Sequence, residues 1–199
     1  MSLQLREIRP IFYIDLSIIG GNIKFEMDIT DTFRRLDLEL KSVGLQREFF
    51  ICGGAALIVL GVISRETKDI DVVSPKLDEE FKALATKVGE RFGLHEGWIN
   101  NGPDDLLRNL EPGWKSRSTL IYNGEALRIY SLSRQDMLNT KLWAACDRIE
   151  DIQDIIQMKP TEAELNKAKE WTLRCDASEI WPKIVEQCLA HIKEKLGYG

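Results

Sequence analysis

Apolar and polar positions along this chain follow two rhythms, one helical and one of strands, and they change over at glycines. Phe33, Leu36, Leu40 and Val43 recur at helical spacing behind the polar pair Thr30-Asp31, which predicts a helix over residues 30–43. Phe49-Phe50-Ile51-Cys52 is a short apolar run of the kind that forms a buried strand, and Gly53-Gly54 then permits a sharp turn. Residues 55–60 are apolar nearly all round, which suits a helix inside a sheet-and-helix core; Gly61 and the polar residues 64–68 end it. Asp69-Ile70-Asp71-Val72-Val73 has strand period, with Asp69 and Asp71 on one face and Ile70 and Val72 on the other. Residues 78–92 read as the crossover helix that follows. Residues 119–122 and 125–130, joined by Asn123-Gly124, predict a hairpin.

The second half of the chain is helical in pattern. Leu138, Leu142, Ala145 and Ile149 form the stripe of a helix from about Arg134 to Ile149, with Lys141 at the stripe's edge. Thr161-x-x-Glu164 is a capping-box start, and Ile180, Trp181, Ile184, Val185, Cys188, Leu189 and Ile192 give the last helix a broad apolar face. At the other end, Ile11-Phe12-Tyr13-Ile14 and the alternating residues 22–27 flank Gly20-Gly21 and suggest a further hairpin. The fold class expected is α+β: a mixed sheet core with packed helices and a C-terminal helical segment. Residues 1–132 form the core with its N-terminal extension and residues 133–199 pack on it, as one compact unit.

Composition narrows the partners more than the fold. The net charge of −5 argues against a broad electrostatic grip on nucleic acid, while a local basic cleft would survive it. A free nucleotide or a protein acceptor is easier to accommodate. No apolar run has the length of a membrane span, and charged residues interrupt the N-terminus where a signal peptide would be continuously apolar. Cys52, Cys146, Cys175 and Cys188 lack paired metal-ligand spacing and read as reduced thiols of a cytoplasmic protein. His95 and His191 are isolated and read as surface or boundary residues.

The chemistry lies between Cys52 and Val73. Two aspartates spaced two residues along a strand are roughly 6–7 Å apart at the backbone, so Asp69 and Asp71 can converge on one hard cation such as Mg2+. A glycine turn into a helix leaves backbone N–H groups facing outward, where an anion can bind. Taken singly, each feature has a plainer reading. Gly-Gly allows close packing of strand and helix, and Asp-x-Asp can end a strand with Arg65 or Lys68 as its partner. Their conjunction points to a metal-bound phosphate.

Gly53-Gly54-Ala55-Ala56, Gly61 and Arg65-x-Thr67-x-Asp69-Ile70-Asp71-Val72 together resemble the signature of the nucleotidyltransferase superfamily. Leu127-Arg128-Ile129-Tyr130, Gln135-Asp136-Met137-Leu138, Lys141-Leu142-x-Ala144-x-x-x-Arg148 and Asp151-x-x-Asp154-Ile155 resemble its bacterial branch, which includes abortive-infection and toxin–antitoxin enzymes. The resemblance implies that Gly53 and Gly54 hold a nucleoside triphosphate, that Asp69 and Asp71 bind magnesium and carry catalysis, and that Lys141 contacts the triphosphate. The implied reaction is attack of a hydroxyl on the α-phosphate with loss of pyrophosphate, the acceptor being a small molecule, an RNA or a protein. Family members also carry a third acid on a neighbouring strand. The strand at 119–122 holds none, which leaves Glu125 beside the turn and Asp104-Asp105 in a loop as candidates. Two readings therefore stand: an active transferase, or a catalytically degenerate nucleotide-binding or regulatory module such as a toxin–antitoxin component. Arg148, Asp151 and Asp154 read as structural, with Arg148 and Asp151 paired at helical spacing, and Trp98 and Trp114 read as core or loop anchors.

Overall fold

The computed structural model describes residues 28–102 and 106–198. The hairpin expected in residues 1–27 and the pair Asp104-Asp105 lie outside the described residues.

Helix α1 (Ile29–Ser42) starts at Asp28, whose carboxylate accepts the N–H of Asp31 at 3.0 Å, and it buries Phe33, Leu36 and Leu40 as their spacing predicts. Strand β1 (Arg47–Cys52) runs straight into α2 (Gly53–Val59), and β2 (Ile70–Ser74) returns antiparallel to β1. Helix α3 (Glu79–Phe92), capped by Asp78, crosses over to β3 (Ile99–Asn100), which pairs parallel with β2. Two short helices, α4 (Leu106–Asn109) and α5 (Trp114–Arg117), lead to the hairpin β4 (Thr119–Asn123) and β5 (Leu127–Ser131). Because β5 pairs parallel with β1, the sheet order among the described residues is β3-β2-β1-β5-β4, a mixed sheet with β1 at its centre.

Alternation along β1 sets the layers. Phe49 and Ile51 face the side covered by α1 and α3, where Phe49 meets Phe81 edge-on at 4.8 Å between ring centroids. Phe50 and Cys52 face the other side, where Phe50 stacks on Tyr130 and takes the edge of Trp114. Trp98 is buried, and its indole N–H donates to the Ala85 carbonyl at 3.0 Å, so Trp98 and Trp114 both anchor the packing. One buried charge in α1 organises the far edge of the sheet: Asp37 accepts the backbone N–H groups of Glu125, Ala126 and Leu127 at 3.2, 2.7 and 2.8 Å. Three N–H donors offset the loss of water that would otherwise make a buried carboxylate costly.

The helix expected from Arg134 to Ile149 ends sooner, as α6 (Arg134–Ala145), and after a turn α7 (Asp151–Met158) follows. The turn between them leaves Ile149 70% exposed, outside the apolar stripe. Tertiary electrostatics explain the break, since Lys141 on α6 is buried and only a chain reversal returns Asp151 and Asp154 to its ammonium. Helix α8 (Glu162–Leu173) begins with the reciprocal Thr161–Glu164 capping box, and α9 (Trp181–Leu196) buries Trp181, Val185, Leu189 and Ile192 against its neighbours. Ile180 precedes α9 and is exposed. No described helix is long and apolar enough to cross a membrane.

Candidate active site

Gly53 is the hinge between β1 and α2. Its φ of +74° is in the left-handed region, and a Cβ there would lie 2.6 Å from an Asp71 carboxylate oxygen, so both backbone and space demand glycine. The reason is sheet register: Cys52 pairs with Asp71, which places the Asp71 carboxylate directly over the turn. Asp69 stands just before β2, on the same face by alternation.

Gly53, Gly54, Asp69, Asp71 and Lys141 all line one cavity of about 720 Å3 between the edge of the sheet and the helical segment. Its outer wall carries Trp143, Asp147, Arg148 and Trp181 from the helices. Burial, and then the neighbouring Asp69, push the Asp71 carboxyl up to about 6, with Lys141 and Arg148 pulling weakly the other way. Cys52 is a buried lining residue, and burial, then the charge of Asp71, push its thiol far above the usual range, which disfavours the thiolate.

Lys141 is buried rather than at the edge of a stripe. Its ammonium donates to Asp151 at 2.6 Å and meets Asp154 at 2.7 Å. Asp154, fully buried, also takes a bidentate grip from Arg65, with both N–O distances 2.8 Å. Burial alone would raise the Asp154 carboxyl; the hydrogen bonds from Arg65 and Lys141 outweigh it and hold the group below the usual carboxylate range. Arg148 completes the chain, 3.2 Å from Asp151, at the helical spacing expected of the pair. Arg65 is thus committed to α7 and not to the Asp-x-Asp strand. Local sequence around Arg65 gives no hint of that partner 89 residues away.

The strand beside Asp71 is not the one the sequence suggested. β4 is the far edge of the sheet, three strands from β2, and it carries no acid; Glu125, at its turn, is exposed and paired with Lys41 at 2.5 Å. β2 is flanked by β1 and by β3, where Asn100 is the registered partner of Asp71. The amide oxygen of Asn100 and a carboxylate oxygen of Asp71 approach the same point, 2.7 and 2.6 Å from where a Cβ on Gly102 would stand. The Asn100 amide N–H donates to the Gly97 carbonyl at 3.2 Å. On the strand next to Asp71, a neutral amide therefore stands at the registered position. Among the described residues no group of three or more His, Cys, Asp or Glu is arranged to hold a metal ion.

A strand, a glycine turn, a helix and an Asp-x-Asp strand, built on a mixed sheet with a cavity at the turn, define a fold of the nucleotidyltransferase class. The chain belongs to the family described as nucleotidyltransferase of unknown function (DUF6036), whose model matches residues 31–177. Among solved structures it is similar to an antigenic nucleotidyltransferase-like protein from Paracoccidioides brasiliensis, at 18% identity over 84% of this chain and 88% of that one, with a TM-score of 0.45. No curated protein matches the chain.

Proposed function

We propose that this protein transfers a nucleoside monophosphate from a nucleoside triphosphate to a hydroxyl acceptor, with a divalent metal ion as cofactor. The observation that carries the reading is the convergence of the Gly53-Gly54 turn, the Asp69–Asp71 pair and Lys141 on one cavity large enough for a nucleotide. The donor set fits Mg2+, which is held through one or two carboxylates together with substrate phosphates and leaves its other positions to water. Asp69 and Asp71 would hold it, and its charge would relieve the repulsion and burial that push Asp71 upward. When bound, the metal supplies charge neutralisation at the phosphates.

In this scheme the backbone of Gly53 and Gly54 lets a phosphate approach without side-chain obstruction, and Lys141 offsets negative charge at the tail of the triphosphate. The acceptor oxygen bonds to the α-phosphorus as the bond from that phosphorus to the α,β-bridging oxygen breaks, pyrophosphate leaves with that oxygen, and the hydroxyl proton passes to solvent or to a site carboxylate. Catalysis of this type rests on positioning and electrostatics. Calorimetry with each of the four common nucleoside triphosphates and Mg2+ tests it. Binding should require Mg2+ and be abolished by Asp69→Asn and by Asp71→Asn; the absence of binding, or indifference to both changes, overturns the proposal.

Asn100 favours a second reading, a degenerate member that binds nucleotide without turnover, for example as a toxin–antitoxin component, since an amide cannot accept the hydroxyl proton. Pyrophosphate release from labelled triphosphate in the presence of a cell extract as acceptor source separates the two. Robust release removes the degenerate reading.

A further inference from the structure

We propose that Arg65 is a second cationic ligand for the polyphosphate tail, set beside Lys141 by the buried carboxylate of Asp154. The inference rests on the reading of the cavity as a triphosphate site and extends it to a residue that lies outside the glycine turn and the aspartate pair.

The geometry begins at Asp154. Its Oδ2 accepts from Arg65 Nη2 at 2.8 Å and from Lys141 Nζ at 2.7 Å, so two cations from different parts of the chain meet on one oxygen. Because Asp154 is fully buried, that oxygen is fixed, and the two positive heads are fixed with it. Arg65 Nε binds the other oxygen at 2.8 Å, and Nη1 donates to the Glu66 carbonyl at 3.0 Å.

Donor accounting shows what remains. A guanidinium carries five N–H groups and an ammonium three. Among the described residues the bonds above use three of the five on Arg65 and, with Asp151, two of the three on Lys141. Each terminal nitrogen of Arg65 keeps one N–H, and Lys141 keeps one. Arg65 lines the cavity with its side chain 44% exposed, and Nη2 lies 3.2 Å from where a Cβ on Gly54 would stand, with the Thr67 hydroxyl beside it at 3.1 Å from the same point. Arg65 Nη2, which keeps one unused N–H, therefore stands over the glycine turn.

Arg65, Lys141 and Arg148 meet Asp151 and Asp154, while Asp69 and Asp71, which line the same cavity, are the pair whose charge Mg2+ would neutralise. A polyanion whose successive phosphates span two neighbouring cations uses the free donors of both, and a planar guanidinium is the group best shaped for phosphate oxygens.

The test compares ligands that differ only in phosphate number. Calorimetry with ATP, ADP and AMP, or with the same series of whichever common base the wild-type chain binds, is run in Mg2+ buffer on the wild-type chain, on Arg65→Gln and on Arg65→Lys, with a melting curve for each. Arg65→Gln is expected to weaken ATP by about tenfold or more while leaving AMP within about twofold, and Arg65→Lys to restore part of the loss. If Arg65→Gln does not fold, the ATP-to-AMP ratio of Arg65→Lys decides, because the lysine keeps the charge and loses the fork. A ratio equal to wild type in every folded variant makes Arg65 a staple only and overturns this inference while the triphosphate reading stands. If the wild-type chain binds none of the four common triphosphates with Mg2+, that reading fails and this inference falls with it.

Discussion

Asp71 is the residue whose environment is most at odds with its charge. Removed from water over Gly53 and set near Asp69, it has a carboxyl pushed up to about 6, against about 3.9 in an unfolded chain. Between those two values the folded protein holds a proton that the unfolded chain releases, so ionisation of Asp71 opposes folding. The effect is absent below about pH 4 and complete above about pH 6. Its size is on the order of 2–3 kcal/mol in metal-free buffer. Asp71→Asn should therefore raise the melting temperature at pH 7.5 in EDTA, with a gain that shrinks toward pH 4. A gain of the same size at both pH values would show that the Asp71 charge is not its source. Protons should also compete with metal below pH 6, so Mg2+ affinity should fall there. The residue identities behind this, Gly53, Asp69 and Asp71, were legible from spacing alone. The strain on Asp71 was not, because it depends on the register that lays Asp71 across the turn.

Among the elements, those with a local pattern match it, the strands β1 and β2 and the β4–β5 hairpin included, and the ones that differ are β3 and the end of α6. Helix α1, helix α3 with its Asp78 cap and the Thr161–Glu164 box follow from local sequence. β3 is two residues long, and two residues carry no periodicity, so the strand beside the aspartates could not be seen. That is why the third acid was sought on β4, at the opposite edge of the sheet. Register puts Asn100 beside Asp71, where a change of charge would be felt directly. Asn100→Asp adds a like charge beside Asp71, so the variant in EDTA should melt about 2–4 °C lower than wild type, which corresponds to roughly 1 kcal/mol. Saturating Mn2+ or Mg2+ should stabilise it by more than it stabilises wild type. Melting curves with and without metal decide the matter: equal metal-induced shifts would mean that Asn100 does not face the cation. The early end of the expected helix at Ala145 has a similar origin, since the stripe was read through Ile149 while the turn answers to Lys141.

Over the whole molecule, the charge chain of Arg65, Asp154, Lys141, Asp151 and Arg148 joins the loop before β2 to the helical segment. Removing one member of a buried charge network leaves its partners unpaired, which typically costs about 3–5 kcal/mol. Asp154→Asn should lower the unfolding free energy by that order, read by urea denaturation at pH 7. If residues 1–132 and 133–199 form one compact unit, the wild-type transition is single; two separated transitions would show that the segments fold independently. Because Asp154 is held below the usual carboxylate range, its contribution is present above about pH 4 and is lost as pH falls through its folded value. The sequence by itself determined the hydrophobic faces, the glycine hinge and the aspartate pair, since each is a property of neighbours a few residues apart. Only the tertiary structure decided that Asn100 stands beside Asp71, that Arg65 and Lys141 share one carboxylate oxygen, and that Asp37 pins the distant hairpin. Those facts rest on partners far apart in the chain, and local spacing carries no record of which distant groups the packing of a core will bring together.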